Sequence, residues 1–121
     1  MKTREEALAL WRQYNDSDAL FKHAVAVEAV MRRFARAYEE NEDEWGLLGL
    51  LHDIDYGQWP QEHLQVAPRL LRDAGYGEDF VHAVCSHGWG ICSDAKPEAK
   101  KEVVLYTIDE LTGLITAAAY M

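Results

Sequence analysis

Cysteine is scarce in this chain: two among 121 residues, Cys85 and Cys92, at a spacing that matches neither a zinc pattern nor a disulfide framework. That scarcity predicts free thiols in a reducing, cytoplasmic setting. No run approaches the ~20 apolar residues that a membrane span needs, and the charged stretch from Met1 to Glu6 does not read as a secretory leader. Basic residues are in deficit, 12 against 21 acidic ones, for a net charge of −9. Nucleic-acid polymers are held by clustered Lys and Arg, so neither a polymer nor a membrane is an expected partner. Period-2 strand patterning, internal repeats, low-complexity tracts and linkers are also absent.

What remains is helical periodicity almost throughout. The expectation is an all-α, compact bundle of about five to six helices in one domain over residues 1–121, a size at which roughly two-thirds of the unfolded surface is buried. Helix one is predicted from about Thr3 to Tyr14, with Asn15-Asp16-Ser17-Asp18 breaking it and capping helix two, about Asp18 to Glu40. The apolar stripe of helix two is Leu20, Val27, Val30, Met31 and Phe34. Asn41 followed by Glu44 resembles a capping box for helix three, which reaches about Asp53. Asp55 to Pro60 reads as a turn, with Pro60 opening helix four, which ends at Gly75. Helix five covers about Glu78 to Ser86, a loop runs from Gly88 to Lys96, and Pro97 opens a last helix.

Into this apolar pattern the chain sets polar residues that packing does not ask for. His52-Asp53 closes the run Trp45-Gly-Leu-Leu-Gly-Leu-Leu. Neighbouring helical side chains diverge by about 100°, so the pair can reach one ion only where the backbone leaves the helix, and the following turn provides that exit. A plain capping role fits poorly, because an aspartate at a helix C-terminus opposes the macrodipole. His23 lies on the apolar stripe of helix two, where a hydrogen-bonded core histidine and a metal ligand are both open readings. Asp109 interrupts the apolar segment Val103 to Ile115, either on a solvated face shared with Glu110 or as a ligand. His63 stands in the first turn of helix four and His87 at the end of helix five. His82, about 140° around the helix from His87, is assigned to solvent or a pocket lining.

In that order, His23, His52-Asp53 and Asp109 resemble the HD-domain superfamily of metal-dependent phosphohydrolases. His63 and His87 are similar to the two extra histidines of its dinuclear members. The stretches Leu50 to Tyr56 and Ile108 to Thr116 resemble a small bacterial branch of predicted hydrolases. The resemblance implies that His23, His52, Asp53 and Asp109 hold a first ion. It further implies that Asp53 bridges to a second ion held by His63 and His87, with Asp53 and His52 at the catalytic centre. One or two Mn, Fe, Co, Ni or Zn ions suit such mixed nitrogen and oxygen ligands. Two divalent ions bring +4 against −2 from the two aspartates, an anion trap inside an acidic protein.

The implied reaction is hydrolysis of a small phosphomonoester or phosphodiester, a nucleotide among the candidates, by a metal-activated water. Di-iron oxygenases of the superfamily that use the same ligand set, and a non-catalytic metal-binding interaction module, are the alternatives. Asp55, Glu62 and Glu110 are candidate partners for ligand N–H groups. Tyr56, Trp59 and Trp89 are candidates to stack on a substrate or to close the core edge, and Lys22 and Arg69 to meet a phosphate or to be plain surface charges. His63 follows Asp53 by only ten residues and the chain runs twelve residues past Asp109, both short steps for this superfamily. The expectation is a minimal or truncated form whose pocket is open or completed by a second subunit in a homo-oligomer.

Overall fold

The computed structural model describes residues 3–89, 93 and 95–108. It is all-α: α1 (Arg4–Tyr14), α2 (Asp18–Ala37), α3 (Glu42–Leu51), a 3-10 turn (Pro60–Glu62), α4 (Ala67–Asp73) and α5 (Glu78–Ser86), with residues 100–108 helical again. The side chains that start the first three helices are the ones the sequence offers. Thr3 forms a full capping box with Glu6, Ser17 Oγ accepts from Leu20 N, and Asn41 Oδ1 accepts from Glu44 N at 3.0 Å.

α3 is the axis of the bundle. All seven residues from Trp45 to Leu51 are buried, so this helix is apolar around its whole circumference and is packed by α1, α2 and α5. Its glycines set the distance to α2. A Cβ on Gly49 would stand 2.9 Å from Val27 O and 3.0 Å from Glu28 Cα, so the backbones of α2 and α3 meet where Gly49 has no side chain. That close approach turns Ala24, Val27, Met31 and Ala35 of α2 inward. Val30 and Phe34, expected in the same stripe, are 37% and 38% exposed.

Two further departures have local causes. α2 ends at Ala37 rather than near Glu40, because Glu39 turns to φ 59°. α4 begins at Ala67, with Pro68 in its first turn, and not at Pro60. Pro60 opens only the short 3-10 turn; His63 leaves it in extended backbone and Leu64 takes φ 65°. A left-handed leucine costs about 1–2 kcal/mol. It is held there by its own side chain, 3% exposed, and by its N–H, which Asp55 Oδ2 accepts at 2.6 Å. Gly75, at φ 92°, closes α4 as expected. Among the described residues no helix is long and apolar enough to cross a membrane. Cys85 is buried in α5, whereas Cys92 lies outside the described residues.

Candidate metal centre

His52 and His87 occupy the same place on different helices, the residue just after the last turn of α3 and of α5. In both, the ring folds back on its own helix: His52 Nδ1 meets Gly49 O and His87 Nδ1 meets Val84 O, each at 2.6 Å. A carbonyl only accepts, so each Nδ1 donates its proton and each Nε2 points outward, carrying either a proton or a lone pair open to a cation. His63 is fixed in the same sense by a carboxylate, with Nδ1 on Asp55 Oδ1 at 2.6 Å. Asp55 is fully buried, and its other oxygen accepts from Leu64 N at 2.6 Å and Ala67 N at 2.9 Å. This one side chain therefore shapes the whole 63–67 loop and orients a histidine.

The outward nitrogens converge on Asp53. Its Oδ2 lies 3.3 Å from His23 Nε2 and 3.2 Å from His52 Nε2, and these two nitrogens are 3.2 Å apart. Its Oδ1 lies 3.1 Å from His63 Nε2 and 3.2 Å from His87 Nε2, and those two are 3.1 Å apart. The five residues thus form two triangles sharing the Asp53 carboxylate. With a metal–nitrogen bond of about 2.1 Å, two atoms on one ion stand about 3.0 Å apart at a right angle and about 3.4 Å apart at the tetrahedral angle. All six distances fall within that interval. The donor set fits a divalent transition ion on chemical grounds as well.

Electrostatics favour positive charge at both triangles. Lone pairs facing a carboxylate and one another are repulsive unless a proton or a cation lies between them. The C-terminal ends of α3 and α5, each carrying roughly half a negative charge, point the same way. Burial alone would raise the Asp53 carboxyl, but the charge of His52 and hydrogen bonds from His23, His52 and His63 hold it well below the usual carboxylate range. Burial would lower His63, yet its bonds to Asp53 and Asp55 push it up to about 9. The floor of the site is closed, with the His52 and His87 side chains 0% and 3% exposed, while His23 at 26% and Asp53 at 19% open to solvent.

Other candidate residues scatter. Tyr56 reaches the cluster, its ring edge-on to His63 with centroids 5.5 Å apart, and is 45% exposed at the rim. Trp59 packs against Tyr14 and closes the core edge. Trp89 sits beside Tyr106 with Lys96 over its face. Lys22, Glu62 and Arg69 are exposed and form no hydrogen bond or ion pair with the five residues. His82 is turned to Glu102, Nδ1 to Oε2 at 2.5 Å. Asp109 and Glu110 lie outside the described residues. Three contributors went unread in the sequence. The carbonyls of Gly49 and Val84 are three residues before a histidine at a helix end, a spacing that can be sought. Asn15 left no such signal.

The family model described as HD domain matches residues 20–114. No curated protein and no solved structure matches the chain.

Proposed function

The chain belongs to the HD-domain family, and from that premise we propose that it is a metal-dependent phosphohydrolase acting on a small phosphomonoester or phosphodiester. The observation that carries the reading is the division of labour in Asp53, whose two oxygens each face a separate pair of histidine nitrogens. His23, His52 and Asp53 would hold one divalent ion, and Asp53, His63 and His87 a second. Bound divalent ions supply a water acidic enough to attack near neutral pH and positive charge for phosphate oxygens.

The chain's own residues provide the rest. His52 and His87, each held by a backbone carbonyl of its own helix, form a buried floor. Asp53, kept ionised by its neighbours, spans both halves. The open side, bounded by His23, Asp53 and Tyr56, is the route for an anionic substrate. The phosphoryl group is drawn there against the net charge of −9 only by local positive charge.

Elemental analysis of the purified chain, followed by a phosphoester panel with Mn, Co, Ni and Zn, tests the proposal. One or two transition ions per chain with metal-dependent phosphate release is the expected result. Two irons with oxygen consumption and no phosphate release would replace it with an oxygenase. Metal without turnover on any ester would leave an interaction module.

A further inference from the structure

Asn15 is 6% exposed, at the junction after α1, and it reaches across the fold. Its Nδ2 donates to Trp11 O at 3.1 Å and to Ile54 O at 2.8 Å. Ile54 directly follows Asp53. The turn that carries the carboxylate ties three of its carbonyls internally: Leu51 O accepts from Ile54 N, Asp53 O from Tyr56 N and Asp55 O from Trp59 N, at 3.0 to 3.2 Å. The Ile54 carbonyl is instead taken by Asn15, so the turn is fastened from outside at the residue beside the ligand.

The opposite edge of the same amide explains a glycine. A Cβ on Gly57 would lie 2.2 Å from Asn15 Oδ1, so the turn folds directly onto this side chain. Gly57 has no left-handed backbone, and the requirement is therefore one of space. Asn15 Oδ1 itself has no hydrogen-bond partner. A buried amide with half its capacity unmet costs stability that an apolar side chain would not. Packing gives no reason for it. Its position relative to Asp53 does.

We infer that Asn15 is a positioning residue for the metal-bearing turn, fixing Asp53 through the Ile54 carbonyl. The inference rests on the metal reading above. Asn15 and α1 precede residues 20–114, which carry the family pattern, so in this chain the N-terminal helix acts as an outside brace on the centre. Arg4 fastens the far end of α1 by forking Glu28, with Nε and NH2 at 2.8 and 3.0 Å. That contact supplies a control that loosens the helix without touching the turn.

The test is Co2+ titration of the metal-stripped full chain, read by calorimetry and by the visible absorption of bound Co2+. Asn15→Ala is expected to keep its helical content, lose about tenfold or more in Co2+ affinity, as orienting groups around metal ligands generally do, and shift the absorption bands. Arg4→Ala is expected to lower thermal stability while leaving affinity and bands unchanged. Should Asn15→Ala fail to fold, Gly57→Ala displaces the amide from the turn side. Its clash is with a side-chain end that can swing away, so the fold survives and the same affinity loss is expected. A folded Asn15→Ala, or in its place Gly57→Ala, with wild-type affinity and bands overturns the positioning role. A wild-type chain that takes up no Co2+ overturns the metal reading itself, which is a different result.

Discussion

His63 and Asp55 are joined Nδ1 to Oδ1 at 2.6 Å, and the carboxylate that makes this bond is fully buried. Its second oxygen accepts two backbone N–H groups of the loop that delivers His63. Loop and imidazole are thus set by one residue. Asp55→Asn places an amide NH2 against either those N–H groups or the imidazole. Unfolding free energy is expected to fall by about 2–3 kcal/mol, the cost of mismatched buried donors. Affinity at the His63–His87 half should drop about 10- to 100-fold. Denaturant titration and calorimetry read the two effects, and unchanged affinity at that half would show that His63 is oriented without Asp55.

Asp53 is shared by both triangles, and single substitutions separate the halves. Asp53→Ala is expected to abolish binding of both ions with far-UV circular dichroism preserved, because the carboxylate faces the histidines and not the apolar core. His63→Ala should remove one ion and leave the other. Elemental analysis of each variant decides, and a full complement in Asp53→Ala would remove Asp53 from the ligand set.

The pH behaviour follows from His63. Its folded value of about 9 stands above the ordinary 6.5, so its proton stabilises the metal-free fold. That contribution is complete below pH 6.5 and is lost as pH rises through about 9. Metal-free protein should therefore lose thermal stability across that window, and His63→Gln should flatten the slope. Between these values, metal uptake must expel the His63 proton. Calorimetric titrations in buffers of different ionisation enthalpy are expected to report proton release per ion, and buffer-independent heats would contradict a protonated His63.

How far such a centre is legible depends on how local its causes are. The caps at Thr3, Ser17 and Asn41 act within three residues and are readable from spacing. His23, His52-Asp53 and His87 stand out because each is a polar intrusion into an apolar helix or at its end, whereas His63, in the polar stretch from Gln61 to Gln65, is marked only by the family resemblance. The start of α4, at Ala67 and not Pro60, departs from the expectation for the opposite reason. Pro60 is a good helix opener by local rules, but Asp55 captures Leu64 and Ala67 from nine and twelve residues away, and that tertiary bond sets the loop. Asn15 reads locally as a helix breaker, and its partner Ile54 is 39 residues distant. Periodicity carries no trace of such a contact.

The two glycines of α3 give a last prediction in which position decides the sign. A Cβ at Gly46 would meet side-chain atoms of Arg32, from Cγ at 2.8 Å to Nε at 2.4 Å, in a flexible side chain bonded to Glu28 and Asp43. Arg32 can move, so Gly46→Ala should cost little and gains helix propensity of up to about 1 kcal/mol. A Cβ at Gly49 meets the backbone of Val27 and Glu28, which cannot yield without parting α2 from α3. Overpacking of that kind costs about 1–3 kcal/mol. It also has a functional consequence, because α2 carries His23 and α3 carries His52, whose Nε2 atoms must stay 3.2 Å apart to share an ion. Gly49→Ala is therefore expected to weaken metal binding at the His23–His52 half as well as to destabilise the fold. Gly46→Ala should leave binding at wild-type strength. Equal metal affinity in the two variants would mean that the α2–α3 spacing does not set this half of the centre.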